Sequence, residues 1–168
     1  ERAIVMLGLS AVRNLALAAS LSRLFHADQI CPQFSTRDLW RHNVAVAVAA
    51  KLLGRAGRSA QGDEAFVAGL MHDMGLLVAQ QLFRDKVQEV AERCLNAPEI
   101  FCAVEERVIG ADHQAFGLAL ATKWKFPPTL RNAIGYHHEP SSLQPEFQRV
   151  AAIVYLADSL CCQGRIGF

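Results

Sequence analysis

The sequence predicts an all-α fold, a compact multi-helix bundle, on three observations. Apolar residues recur at helical spacing along nearly all of the 168 residues. Strict apolar/polar alternation of the strand kind is absent, as are the Asn-Gly and Asp-Gly signals of a hairpin. Capping residues, prolines and glycines punctuate the chain at spacings that suit short helices.

The elements follow in order. Residues Glu1 to Leu7 read as the tail of a helix ending near Gly8. Ser10 is placed to cap a helix to about Phe25. Asp28 to Phe34, with Pro32, reads as a loop. Ser35 or Thr36 opens a helix through about Leu53, and Gly54 to Gly62 reads as a loop rich in Gly, Arg and Ser. Asp63 starts a helix whose face carries Phe66, Leu70, Leu77 and Phe83. Helices over Arg84–Leu95 and Pro98–Ile109 follow, the second with Pro in its first turn. Asp112 caps a helix reaching Lys125, and Pro127 with Pro128 ends it and starts the next, to about Tyr136. Pro145 begins a last helix through Cys162, which Gly164 ends. The sum is eight or nine short helices with no internal repeat and no second domain.

Bulk chemistry narrows the function classes. The chain is 52% apolar and 20% charged with net charge +1, so nothing in it suggests general affinity for nucleic acid or an anionic membrane. Apolar runs such as Val44–Ala50 are too short to span a bilayer. The chain starts at Glu1, as expected of a trimmed piece, and a cytoplasmic protein is the expectation. Cys31, Cys94, Cys102, Cys161 and Cys162 form no Cys-x-x-Cys pair, and five thiols make a poor disulfide framework. They read as reduced, small apolar residues.

Chemistry concentrates in the histidines and two aspartates. His72 and Asp73 are adjacent within the apolar run Gly69-Leu-Met-His-Asp-Met-Gly75. A carboxylate there must be paired or metal-bound, since a bare buried charge is costly. Adjacent helical positions point about 100° apart, so the doublet alone chelates poorly unless other helices deliver ligands to it. His42, with Leu39, Ala45 and Val46 one turn away, looks inward, and so does Asp158 among Val154, Tyr155, Cys161 and Cys162. His113 follows the cap Asp112, and His137 and His138 end a helix. Each also has a plainer role open to it. His42 suits a hydrogen-bonded core histidine, His113, His137 and His138 suit polar loop or helix-end residues, and Asp158 suits a cap on a neighbour. His26 reads as a surface or helix-end residue, and Arg55 and Arg58 as loop arginines that could meet an acidic partner but are more simply solvated. Mixed His and Asp ligation suits Zn, Mn or Fe better than Mg or Ca.

These residues carry a resemblance. His42, the doublet His72-Asp73 and Asp158 in Tyr-Leu-Ala-Asp-Ser-Leu are similar to the signature of the HD superfamily of metal-dependent phosphohydrolases. Ala3-Ile-Val-Met-Leu-Gly8, Leu39-Trp-Arg-His42, Glu64-Ala-Phe-Val-Ala-Gly69, Gly110-Ala-Asp-His113 with Gly117, Trp124-Lys-Phe-Pro127 and His137-His138-Glu-Pro140 resemble its HDOD branch. The resemblance covers residues 1–168 as one domain and implies that the family's N-terminal helices would precede Glu1. It implies a metal held by His42, His72, Asp73 and Asp158. A second ion would fall to His113, His137 and His138, as in the HD-GYP branch, with Asp73 bridging. The implied cofactor is one or two divalent ions, Fe, Mn, Zn or Mg.

Two departures bear on activity. Active superfamily members often carry Lys three residues after the doublet's Asp, where this chain has Leu76, and the Gly-Tyr-Pro signature is replaced by Glu139-Pro-Ser-Ser-Leu. The resemblance therefore implies a bacterial signal-transduction module, an output or scaffold unit whose partner is a signalling protein or fused regulatory domain. The rival is a metal-dependent phosphohydrolase acting on a phosphorylated small molecule or nucleotide, as a phosphomonoesterase, nucleotidase or phosphodiesterase. Its catalytic residues are unknown. Leu76→Lys should raise turnover if the ammonium is tolerated beside its apolar neighbours.

Overall fold

A computed structural model describes residues 9–25, 29–31, 34–57, 61–96 and 99–167. Among them are nine α-helices: α1 Leu9–Leu21, α2 Thr36–Ala56, α3 Gly62–Met71, α4 Met74–Leu82, α5 Arg84–Asn96, α6 Phe101–Val108, α7 His113–Lys123, α8 Pro128–Gly135 and α9 Pro145–Gln163. Single 3-10 turns, Ser22–Leu24 and Pro140–Ser142, follow α1 and precede α9. The expected all-α class holds. Positions 1–8, His26 and Arg58 lie outside the described residues.

The helices start and stop for the reasons the chain suggests at most ends. The Ser35 hydroxyl accepts from the Asp38 backbone N–H, and Asp112 Oδ1 accepts from that of Ala115 at 2.8 Å. Pro128 and Pro145 occupy first turns, where a missing N–H does no harm. Elsewhere tertiary packing overrides local signals. Ser10 lies inside α1 and its hydroxyl donates to Asp63 instead of capping. Asp28–Phe34 is not wholly loop: β1, Gln29–Cys31, pairs antiparallel with β2, Phe34–Ser35. Gly54 stays helical because it is buried, and α2 runs on to Ala56. Pro98 is outside the described residues, and α6 begins only at Phe101.

One core unites α2, α3, α8 and α9 through Val46, Ala50, Ala65, Ala68, Ala133, Val150, Ala151 and Val154. So many alanines let helix axes approach closely. A second cluster, Ala47, Leu70, Met71, Met74, Ala121 and Ile134, fills the space between α2, α3, α4, α7 and α8. Asp63 ties three helices together at the edge. It meets Lys51 Nζ of α2 at 2.8 Å and accepts from Asn14 Nδ2 of α1 at 3.2 Å. The Lys51 contact leads the causes that pull its carboxyl down to about 2. Cys94, Cys102, Cys161 and Cys162 are free thiols, and no helix among the described residues is long and apolar enough to cross a membrane.

Candidate metal centre

Five elements deliver polar side chains to one point inside the bundle. α2 brings His42, α7 brings His113 at its first residue, the turn after α8 brings His137 and His138, and α9 brings Asp158. His72 and Asp73 were expected inside a helix, but they occupy the break between α3 and α4. No Pro or Gly sits at the break itself. It is held by an N–H of Leu76 donating to the Asp73 carbonyl at 2.9 Å.

Two glycines explain how the neighbours reach this break. A Cβ on Gly69 would lie 3.0 Å from both Cα and N of Ala47, so α3 crosses α2 backbone to backbone. A Cβ on Gly75 would lie 1.9 Å from the His113 carbonyl oxygen. The doublet is thus framed by the two close crossings that hold the helices of His42 and His113 against it.

The side chains converge although they come from distant parts of the sequence. His42, His72, Asp73, His113, His137 and Asp158 are all buried, and His138 is half-buried. Asp73 lies between two groups. Its Oδ2 is 3.1 Å from His72 Nε2 and 3.8 Å from His42 Nε2. Its Oδ1 is 3.6 Å from the Nε2 of His113 and equally far from that of His137. Asp158 Oδ1 completes the first group, 2.9 Å from His42 Nε2 and 3.9 Å from His72 Nε2. His138 joins the second, its Nε2 3.1 Å from that of His113. Atoms about 2.0–2.2 Å from a shared tetrahedral ion stand roughly 3.3–3.6 Å apart, and the observed spacings bracket that range.

The ring nitrogens have assigned roles. Nδ1 of His42, His72 and His137 lies 3.1, 2.8 and 2.9 Å from the carbonyls of Ile166, Gly69 and Ile134. A carbonyl only accepts, so each Nδ1 carries the proton and each neutral ring keeps a lone pair on Nε2. Nδ1 of His113 donates to Glu105 Oε2 at 2.6 Å, and the His113 backbone N–H donates to the same oxygen at 3.0 Å. The Nε2 atoms of His113 and His137 then face each other at 3.3 Å. Two lone pairs at that distance require a cation between them, a proton or a metal.

The titration directions agree. Burial opposes ionisation at Asp73, but His72, His113 and His137 hold it well below the usual carboxylate range. Burial also opposes the charged form of His113, yet Glu105 pushes it up to about 9. His42 rises against burial through Asp158 and Asp73, whereas burial and neighbouring imidazoles drive His137 well down. Two carboxylates among imidazoles attract positive charge, and hydrogen bonds from Nδ1 to a carbonyl or carboxylate are what fix the orientation and tautomer of metal-binding imidazoles.

The HDOD domain family model matches residues 1–140. This chain belongs to the HDOD domain family. It is similar to an HDOD domain protein of unknown function from Geobacter sulfurreducens (29% identity, TM-score 0.85), covering 99% of this chain and 55% of that one. It is also similar to a Marinobacter aquaeolei VT8 protein provisionally assigned to signal transduction (25% identity, TM-score 0.81), covering 95% and 36%. An uncharacterized Treponema pallidum (strain Nichols) protein is 27% identical over 166 residues, 94% of this chain and 30% of its own length. The chain therefore spans about a third to a half of the lengths of these relatives.

In this HDOD domain, Asp158 lies beyond the matched residues yet reaches the centre. Sequence reasoning missed four contributors. Glu105 is buried and orients His113. Gln114 Oε1 accepts from the His138 backbone N–H at 2.9 Å. Cys162 Sγ lies 3.3 Å from Asp158 Oδ1, and Cys102 falls in reach of His113 and His138. Leu76, at the position noted for Lys, is 4% exposed and clusters with Phe25 and Leu39.

Proposed function

We propose that this HDOD domain is a bacterial, cytoplasmic signal-transduction module. It holds divalent metal as part of its architecture, has little or no hydrolase activity, and acts through a signalling protein or fused regulatory domain. His42, His72, Asp73 and Asp158 would hold one ion, and His113, His137 and His138 a second, with Asp73 between them. The observation that carries the metal reading is Asp73, whose two oxygens each face a separate pair of Nε2 atoms. A bound divalent ion would supply the positive charge that these lone pairs and carboxylates lack. Iron, manganese and zinc suit the nitrogen-rich donor set.

Leu76 supports the signalling side of the reading. It packs in an apolar cluster and offers no donor to a phosphate. Leu76→Lys would place an ammonium there. Its buried place among Phe25 and Leu39 does not tolerate that charge, so the condition for a gain in turnover is not met, and the expected result is a loss of about 2–3 kcal/mol of stability and no gain. Denaturant melts and a phosphoester assay would check both.

The test of the whole reading is metal content beside turnover. Elemental analysis should give two equivalents in the wild type and one after His113→Ala with His138→Ala. One equivalent in both removes the second ion. A phosphodiesterase and nucleotidase screen with added Mn should find feeble turnover, including on cyclic di-GMP. Brisk turnover that Asp73→Ala abolishes without unfolding would make the protein a phosphohydrolase.

A further inference from the structure

His113 sits where two different donor sets meet. On one side are Asp73 and His137, an oxygen and a nitrogen. On the other are Cys102 and His138, a sulfur and a nitrogen, and the ligand atoms of Cys102, His113 and His138 all lie within 4.8 Å of one another. The Nδ1 of His113 is committed to Glu105, so its Nε2 offers one lone pair and can hold one ion. The chemistry of that ion must then decide which set it joins.

Two observations beside that grouping suit a cation on the sulfur side. The Nε2 atoms of His113 and His138 stand 3.1 Å apart, the spacing of two ligands on one ion. Glu105, one helical turn from Cys102 on α6, is 1% exposed, and its Oε1 has no hydrogen-bond partner among the described residues. One oxygen of the buried carboxylate that holds His113 is therefore uncompensated.

We propose that Cys102, His113 and His138 form a thiolate–imidazole position for a thiophilic divalent ion such as Zn²⁺ or Co²⁺. This inference rests on the metal-centre reading above. Harder ions such as Mn²⁺ take the Asp73–His137 side, because carboxylate oxygen suits them and thiolate does not. Binding on the sulfur side breaks the S–H bond, forms the metal–sulfur bond and releases one proton to solvent. The domain would then distinguish soft from hard metals by the place they occupy.

Co²⁺ titration of the purified domain tests this directly. A thiolate-to-cobalt charge-transfer band should grow in the wild type, persist in Cys162→Ser and vanish in Cys102→Ser. Zn²⁺ affinity should fall about tenfold or more in Cys102→Ser, the scale of losing a supporting metal contact, while Mn²⁺ affinity stays put. Retained Mn²⁺ binding also shows that the variant is folded. In the wild type, Zn²⁺ but not Mn²⁺ should protect Cys102 from alkylation, located by peptide mass spectrometry. Cobalt bound without the band, a band surviving Cys102→Ser or lost only in Cys162→Ser, or alkylation unaffected by Zn²⁺ overturns the Cys102 assignment. A domain that binds no divalent ion overturns the metal-centre reading itself.

Discussion

Gly75→Ala should destabilise the domain by about 4 kcal/mol or more and weaken its metal binding at the same time. The methyl would lie 1.9 Å from the His113 carbonyl oxygen, 2.7 Å from the Gly117 nitrogen and 2.8 Å from the His113 carbonyl carbon. All three are backbone atoms of α7, so no side-chain rotation relieves the contact. α4 and α7 must separate by more than an ångström, and tight interiors resist such shifts. The displaced helix starts at His113, so Nε2 moves away from Asp73 as well. For a domain of this size the melting temperature should drop by about 10 °C. Gly57→Ala is the control. Gly57 has φ −74° and its nearest would-be neighbour lies at 3.4 Å, so its effect should be small. A Gly75→Ala protein that melts with the wild type and binds Mn²⁺ equally well would show that the crossing is looser than its geometry implies.

The two glycines bracketing His72-Asp73 are legible in the sequence, but their purpose is not. A glycine inside an apolar helical run signals close approach without naming the neighbour. The inward-facing positions of His42 and Asp158 were readable from their apolar helical neighbours, because a polar residue on such a face must find a partner. The convergence of His113, His137 and His138 followed from family resemblance, since nothing local separates a helix-end histidine from a ligand. Glu105 was hidden. In Val104-Glu105-Glu106-Arg107 nothing marks which glutamate turns inward, and only the loop after α6 brings His113 back over it. Cys102 and Cys162 read as small apolar residues because sulfur's second role depends on neighbours far along the chain. The β1–β2 ribbon is too short to show alternation. The break at the doublet has no breaker residue, because tertiary packing and not local propensity creates it.

Asp73→Asn should remove metal binding at both positions, lowering each affinity by about 100-fold or more. The side chain keeps its shape, so the fold is preserved, but one oxygen becomes an amide nitrogen that cannot ligate. That nitrogen donates, but its two hydrogens reach only one of the two pairs of Nε2 atoms now facing Asp73 at 3.1–3.8 Å, and the amide oxygen still faces the other. The metal-free variant should therefore melt below the metal-free wild type, because the pairing with His72, His113 and His137 that holds Asp73 well below the usual carboxylate range is lost. Metal addition separates them. An ion that binds only the folded state stabilises it by about 2.7 kcal/mol at 100 times its dissociation constant. The wild type should show that upward shift with Zn²⁺ or Mn²⁺, and Asp73→Asn should show almost none. Asp158→Asn is the sharper comparison, because the histidines within 4.0 Å of Asp158 are His42 and His72. It should lose the first ion and keep the second, leaving one equivalent by elemental analysis. An Asp73→Asn protein that keeps one ion would mean that the two positions do not share this carboxylate. One that keeps the full metal-induced shift would place the metal elsewhere altogether.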